Sequence, residues 1–393
     1  MLTLITNVEL YAPAAMGEVD VLVADKRIAA IAPDLKNKIT ADGTIMEIID
    51  GRGKLMFPGL VDSLVHISGG GGEGGFHTRT PQMNLTDATL GGVTTVIGVL
   101  GTDATTRTLS DLLAKAHALE TEGISTYCHT GSYQLPARTV LDNVTDDIIL
   151  IDKFIGIGEI AIADHRSSQL RSSELMRVAS EARVGGMISG KAGIVSIHVG
   201  DSDSMLYLLH ESIEKSDLPV TQFYPTHINR NGALLEAGME WAKQGGYIDF
   251  TASTNEKFIE EGEVPAAKAL ADCLDSGVAV SQLTMSSDGN ASLPVFDDAG
   301  ELVGLEVGRV GSLYEAFQEA VLEYGVGIVD AISSVTLSPA QLLKLKHKGR
   351  IEVGADADFI LATKDRLLLE QVYAKGRCMV RGGKALVKGT FEN

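Results

Sequence analysis

Gly193-Ile194-Val195-Ser196-Ile197-His198-Val199-Gly200 is an almost continuously apolar run that closes on a histidine. Apolar on both faces and bounded by glycines, it reads as a strand buried in a parallel sheet. Seven other runs share this character, at 59–67, 92–100, 123–130, 155–163, 223–228, 247–252 and 282–287. Helical periodicity fills several of the gaps, over 109–122, 172–184, 203–215 and 233–244. Eight strand–helix units predict an α/β fold, a (β/α)8 barrel of the TIM type.

The two ends of the chain read differently. Near the start, 19–23 and 27–31 flank Asp25-Lys26 as a hairpin would, and near the end 358–362 and 371–373 are strand-like, with a turn at Arg381-Gly382-Gly383-Lys384. Chain ends commonly lie close together. The N- and C-terminal segments, 1–57 and 350–393, are therefore expected to form one small β-sandwich domain, leaving 58–349 to the barrel. The 393 residues suffice for both.

Composition narrows the function. With 33 basic against 52 acidic residues the net charge is −19, so no basic surplus is available to displace counterions from nucleic acid or to bind an anionic membrane. Cys128, Cys273 and Cys378 are few, odd in number and far apart, and form neither a disulfide framework nor a Cys-x-x-Cys zinc motif. Without a signal-like start or an apolar run long enough to span a bilayer, a cytoplasmic protein is the expectation.

Polar residues gather where the apolar runs end. His66 closes the first, Thr102 follows the second, Glu159 lies in the fourth with Asp164-His165-Arg166 after it, and His198, His227 and Asp288 end the fifth, sixth and eighth. In a barrel those ends meet at one mouth, where sites are built. A single histidine at a strand end is more often a hydrogen-bonded structural residue than a ligand. Five unpaired polar groups in apolar strands would be costly unless something pairs them. Imidazole and carboxylate donors suit zinc, and one carboxylate can bridge two ions. His66, Glu159, His198, His227 and Asp288 are the candidate metal ligands, and Asp288 is also the candidate proton carrier.

The loops point to a small zwitterion. Gly69-Gly70-Gly71-Gly72-Glu73 allows close backbone approach, with Glu73 available to an ammonium group. Arg166 and Arg230 can hold carboxylates, and Tyr133 can donate to an oxyanion. Any one of these alone reads equally well as a surface loop residue.

These stretches, together with Pro58-Gly59-Leu60-Val61-Asp62, Gly101-Thr102-Asp103, Ala163-Asp164-His165-Arg166-Ser167, Arg183-Val184-Gly185-Gly186, the 225–231 segment and Ser286-Ser287-Asp288-Gly289-Asn290, resemble the isoaspartyl dipeptidase family of the amidohydrolase superfamily over nearly the whole chain. The resemblance implies hydrolysis of β-aspartyl dipeptides by a metal-bound hydroxide, two zinc ions per chain, a small dipeptide as the partner and a homo-octamer. It implies metal binding by His66, His198, His227 and Asp288, with Asp288 and Tyr133 catalytic. Glu73, Thr102, Arg166, Arg230 and Ser292 would contact substrate. Two positions depart from the pattern. Glu159 stands where the family has a carboxylated lysine, and supplies two oxygens in its place. Leu64 stands where the superfamily's first strand has the first histidine of His-x-His. Positions 64 and 66 share a face of the strand, so one zinc site is expected to be weakened. The alternatives are a cyclic-amide or N-acyl-amino-acid amidohydrolase, which would lack the loop ending in Glu73, and a catalytically impaired relative in which Leu64 has cost the metal.

Overall fold

A computed structural model describes residues 2–39, 46–296 and 302–393. All eight expected inner strands form: β1 (Leu60–Val65), β2 (Val93–Gly98), β3 (Ser125–Thr130), β4 (Phe154–Ile162), β5 (Ile194–Val199), β6 (Phe223–Thr226), β7 (Ile248–Thr251) and β8 (Leu283–Ser286). β1 to β6 make one parallel sheet in sequence order, and β7 pairs in parallel with β8. Beyond the end of β8, the amide of His66 donates to the carbonyl of Gly289 at 2.9 Å, in a parallel bridge between Val65 and Gly289. Between β6 and β7, the Tyr224 hydroxyl and Thr226 Oγ1 donate to the two oxygens of Asp249, at 2.9 and 2.7 Å.

The helices follow from local chemistry. In Leu109–Glu122 the buried Leu109, Leu112, Ala116 and Leu119 keep one face on the sheet, Thr108 accepts a hydrogen bond from the Asp111 amide, and Gly123 ends the helix at φ 141°. The helix expected over 203–215 is shorter, Tyr207–Glu214, because the backbone before Tyr207 is taken up by turns.

Both chain ends do enter one sheet. Leu2–Tyr11, Ala15–Ala24, Arg27–Ala32, Met46–Asp50 and Lys54–Pro58 join Phe359–Thr363, Leu369–Ala374, Arg377–Arg381 and Lys384–Ala385 in nine hydrogen-bonded strands, a single mixed sheet. Its own apolar cluster includes Ile5, Val8, Val21, Met56, Phe359 and Tyr373. The stretch 40–45, which falls within the expected N-terminal unit, lies outside the described residues. Among the described residues, no helix is long and apolar enough to cross a membrane.

Candidate active site

Glu159 sits at the centre. Along β4 the register against β5 slips between Val195–Ile157 and Ile197–Ile160, so Gly158 and Glu159 face one residue, Ser196. Such a bulge re-aims a side chain. Gly158 is required there: its φ is 150°, and a Cβ would lie 2.6 Å from both Cβ and O of Ser196. The Glu159 carboxylate is fully buried, and neither oxygen has a hydrogen-bond partner.

Three imidazoles face it. His66 Nε2 stands 3.6 Å from Oε2, while His198 Nδ1 and His227 Nε2 stand 3.5 and 3.4 Å from Oε1. Asp288 Oδ1 lies 3.2 Å from His66 Nε2. Two ligands on one tetrahedral zinc, with bonds of about 2.1 Å, stand about 3.4 Å apart. The spacing of this donor set therefore fits a shared cation, and Glu159, His198 and His227 present donor atoms all within 4.8 Å of one another. The orphaned oxygens of Glu159 and Asp288 make the same point energetically. A buried acceptor left unpaired is costly, and a cation removes that cost.

Electrostatics agree. Burial opposes the charge on Glu159, yet the facing imidazoles of His198 and His227, at 3.5 and 3.4 Å, and of His66 hold its carboxyl well below the usual range. Burial, with Arg230 and His198 nearby, pushes His227 down to about 4, so its ring is neutral and able to ligate. Burial also opposes the charge on His66, but Asp288 and Glu159 outweigh it and raise its pKa. The cluster attracts positive charge.

Two ligands are oriented from behind. His198 Nε2 donates to Asp164 Oδ2 at 3.0 Å, which leaves Nδ1 as a lone pair, and the Tyr133 hydroxyl lies 2.7 Å from that Nδ1. His227 Nδ1 bonds Thr251 Oγ1 at 2.6 Å, leaving Nε2 to face Glu159. His227 and Asp288 hold φ of 64° and 51°, a left-handed backbone that costs non-glycine residues about 1–2 kcal/mol and concentrates at functional sites.

The expected substrate residues line the same mouth. Glu73 Oε1 accepts from Thr102 Oγ1 at 2.7 Å and lies 3.4 Å from an Arg166 amine. Glu73 and Thr102 border a cleft of about 250 Å³ with Gly71, Gly72, Phe76 and Thr106. Arg166 is held by Asp164 through two bonds, at 3.0 and 2.7 Å, and lies over the Tyr133 ring. Arg230 Nε donates to the Val199 carbonyl at 2.9 Å. Its place is fixed by Asn231, which caps the helix Gly232–Lys243. Ser292 packs under the glycine loop: Gly71 has φ 67°, and a Cβ there would lie 2.9 Å from that of Ser292. All eleven expected site residues thus meet at one rim. Leu64 is also there, 1% exposed and in none of the three apolar clusters.

Sequence reading missed the supporting residues. Asp164 stood out only as a neighbour of Arg166. Arg107 is buried and clamps the glycine loop by donating to the carbonyls of Ser68, Gly70 and Thr80. Thr80 ties the same loop to the Asn290 carbonyl at 2.6 Å. Asp249 accepts four hydroxyl bonds, from Tyr224, Thr226, Thr284 and Ser286. His129, in β3, was not singled out at all.

Comparison with known proteins agrees with this geometry. The sequence model of the amidohydrolase family matches residues 55–383. A beta-aspartyl dipeptidase from the thermophilic, keratin-degrading Fervidobacterium islandicum AW-1, solved in complex with a beta-Asp-Leu dipeptide, is 42% identical, with a TM-score of 0.90 over 98% of this chain and 97% of that one. A second structure of beta-aspartyl dipeptidase from that organism is 39% identical, with a TM-score of 0.88 over 98% of each chain. A dihydropyrimidinase from Brevibacillus agri NCHU1002 shares the fold at 15% identity, with a TM-score of 0.68 over 99% of this chain and 97% of that one. A dihydroorotase from Staphylococcus epidermidis is 36% identical over 93 residues, which is 24% of this chain and spans only 20% of that relative's length. With its buried Glu–His–His centre and near full-length likeness to two solved dipeptidases, the chain belongs to the amidohydrolase family and, within it, groups with the beta-aspartyl dipeptidases.

Proposed function

We propose that this protein hydrolyses the β-aspartyl bond of small dipeptides at a metal centre, with zinc as the metal. The observation that carries the reading is the buried Glu159 carboxylate, unpaired and faced by three imidazoles at ligand spacing. The ligands are His66, Glu159, His198, His227 and Asp288. When bound there, zinc lowers the pKa of water and polarises a carbonyl.

The side chains divide the remaining work. Asp288 takes the proton released as water oxygen bonds to the carbonyl carbon, and delivers it to the nitrogen as the C–N bond breaks. Burial and the charge of Glu159 keep the Tyr133 hydroxyl protonated, so it donates to the oxygen on which negative charge develops. Glu73, steadied by Thr102, holds the substrate ammonium. Arg166 and Arg230 hold carboxylates, and Ser292 adds a hydroxyl from beneath the loop. Thr102, Tyr133 and the two arginines thereby fix the scissile bond relative to Asp288.

The architecture proposed for this work is a closed (β/α)8 barrel over 58–349. The Val65–Gly289 bridge and the Asp249 hydroxyl network support its closure. The segments 1–57 and 350–393 would form a β-sandwich unit against it. Self-association is part of the same reading, supported by the exposed Val184, Met187 and Ile188 on one helix and Leu150 beside it. The short match to dihydroorotase favours a cyclic-amide substrate only over that segment, and the loop carrying Glu73 argues for a dipeptide with a free amine.

The test is a paired assay of β-Asp-Leu against α-Asp-Leu, with 5,6-dihydroorotate as a third substrate. Turnover confined to the β-linked dipeptide supports the proposal. Equal turnover of the α-linked form, or preference for the ring, refutes it.

A further inference from the structure

Leu64 offers nothing to a metal, but the wall that carries it holds a histidine with nothing to bond. His129 is fully buried, and neither ring nitrogen has a hydrogen-bond partner. Its neighbours fix its direction. Thr126 Oγ1 donates to the Ala116 carbonyl on the helix side, Thr130 Oγ1 donates to Asp147 at 2.5 Å, and Cys128 joins the apolar cluster between sheet and helices. Alternation along β3 therefore turns His129 inward. β3 pairs with β4, His129 against Gly156, and Glu159 is close enough for its charge to act on the ring.

An imidazole buried with both nitrogens unpaired is rare unless a partner is missing. A neutral imidazole carries one N–H and one lone pair, and a cation inside the strands, towards Glu159, itself unpaired on both oxygens, would take the lone pair. A hydrogen-bond donor from a neighbouring side chain is absent among the described residues. Leu64, two strands away on β1, is buried and belongs to none of the three apolar clusters.

We propose that His129 is a metal ligand, supplying from β3 the imidazole that β1 lacks at position 64, so that the deep half of the centre is completed by Glu159, His66 and His129. This rests on the metal-centre reading above and extends it to a residue outside the expected set. The exchange keeps the number of imidazoles and moves one of them two strands around the ring. It makes the second zinc a normal-affinity site.

Crystals of the zinc-loaded wild-type protein, with anomalous differences collected at the zinc edge, test this without any substitution. The expected result is an ion with a His129 ring nitrogen about 2.0–2.1 Å away. Ions held by Glu159, His198 and His227, with His129 bonded only to water or to nothing, overturn this proposal and leave the metal centre standing. No ion at the site overturns both. In parallel, zinc per chain is measured after dialysis for His129→Leu and for the double exchange Leu64→His with His129→Leu. The proposal expects the single variant to fall from about two zinc to about one, and the double exchange to recover. Unchanged zinc in the single variant contradicts it. Visible absorption of the cobalt-substituted forms reports the same ligand change independently of turnover, and an identical spectrum for wild type and His129→Leu also contradicts it.

Discussion

The two sides of the site are built differently. On the β4–β5–β6 side, His198 and His227 each spend one ring nitrogen on a neighbour, Asp164 or Thr251, and turn the other towards Glu159. On the β1–β3 side, Leu64 contributes no donor, His66 leaves Nδ1 unpaired and His129 leaves both nitrogens unpaired. One side is oriented before any ion arrives. The other keeps ring nitrogens that an ion, in the proposed centre, would pair. One half of a site can thus have its donors oriented by neighbouring side chains while the other leaves them unpaired.

The largest effect expected is from Glu159→Ala, which removes the one group that faces all three imidazoles. Hydrolysis should fall by more than about 10⁴-fold and zinc should be lost from both sides, as read by steady-state assay and metal analysis. Retained zinc on either side would show that the two halves do not share this carboxylate. Asp288→Asn comes next. It should lower kcat by about 10²- to 10⁴-fold with unaltered circular dichroism, because proton transfer is removed while the fold is spared. An unchanged kcat would rule out Asp288 as the proton carrier.

Asp164→Asn and Thr251→Val probe the orienting bonds of the oriented half. Each should weaken zinc by about 10- to 100-fold, measured by competition with a chelating dye. Equal affinity to wild type would mean that pre-orientation contributes little, and the contrast between the halves would dissolve. The smallest effect on the centre is expected from Asp62→Asn in β1, whose consequence is for stability. Burial pushes Asp62 up to about 7 from 3.8. The folded protein then keeps a proton that the unfolded chain releases, so this contribution is fully present below about pH 4 and is lost as pH rises through about 7. About three units correspond to at most about 4 kcal/mol. Urea midpoints between pH 5 and pH 8 should fall more steeply in wild type than in Asp62→Asn, and parallel curves would refute the assignment.

Much of the fold was legible because inner strands must be apolar on both faces. Residues 155–163 and 193–200 declared themselves by composition, and a polar residue ending such a run could only belong to the mouth. Helix 109–122 was legible because its leucines repeat on one face above a glycine stop. The antiparallel pair Ser292–Phe296 and Leu302–Val307 was not, since each strand is short and is interrupted by Pro294 or Gly304, residues that weaken a strand pattern. Nor was the continuity of the terminal sheet, where the strands from the two chain ends share one hydrogen-bonded ladder through Lys54–Pro58 and Phe359–Thr363. The site's ligands were visible one by one, whereas their supports were not. Asp164, Thr251 and Arg107 matter through partners 24 to 39 residues away, and no local pattern marks those pairings. His129 was hidden for another reason: Ser125-Thr126-Tyr127-Cys128-His129-Thr130 is the least apolar of the inner strands, so one more polar residue there drew no notice.

The proposed function requires histidines and acids from five strand ends to act through a cation they hold in common. Chelator-treated protein, assayed on β-Asp-Leu before and after addition of zinc, tests it most directly. Turnover should vanish on treatment and return as zinc is restored towards two per chain. Full turnover by protein shown to be metal-free would contradict it.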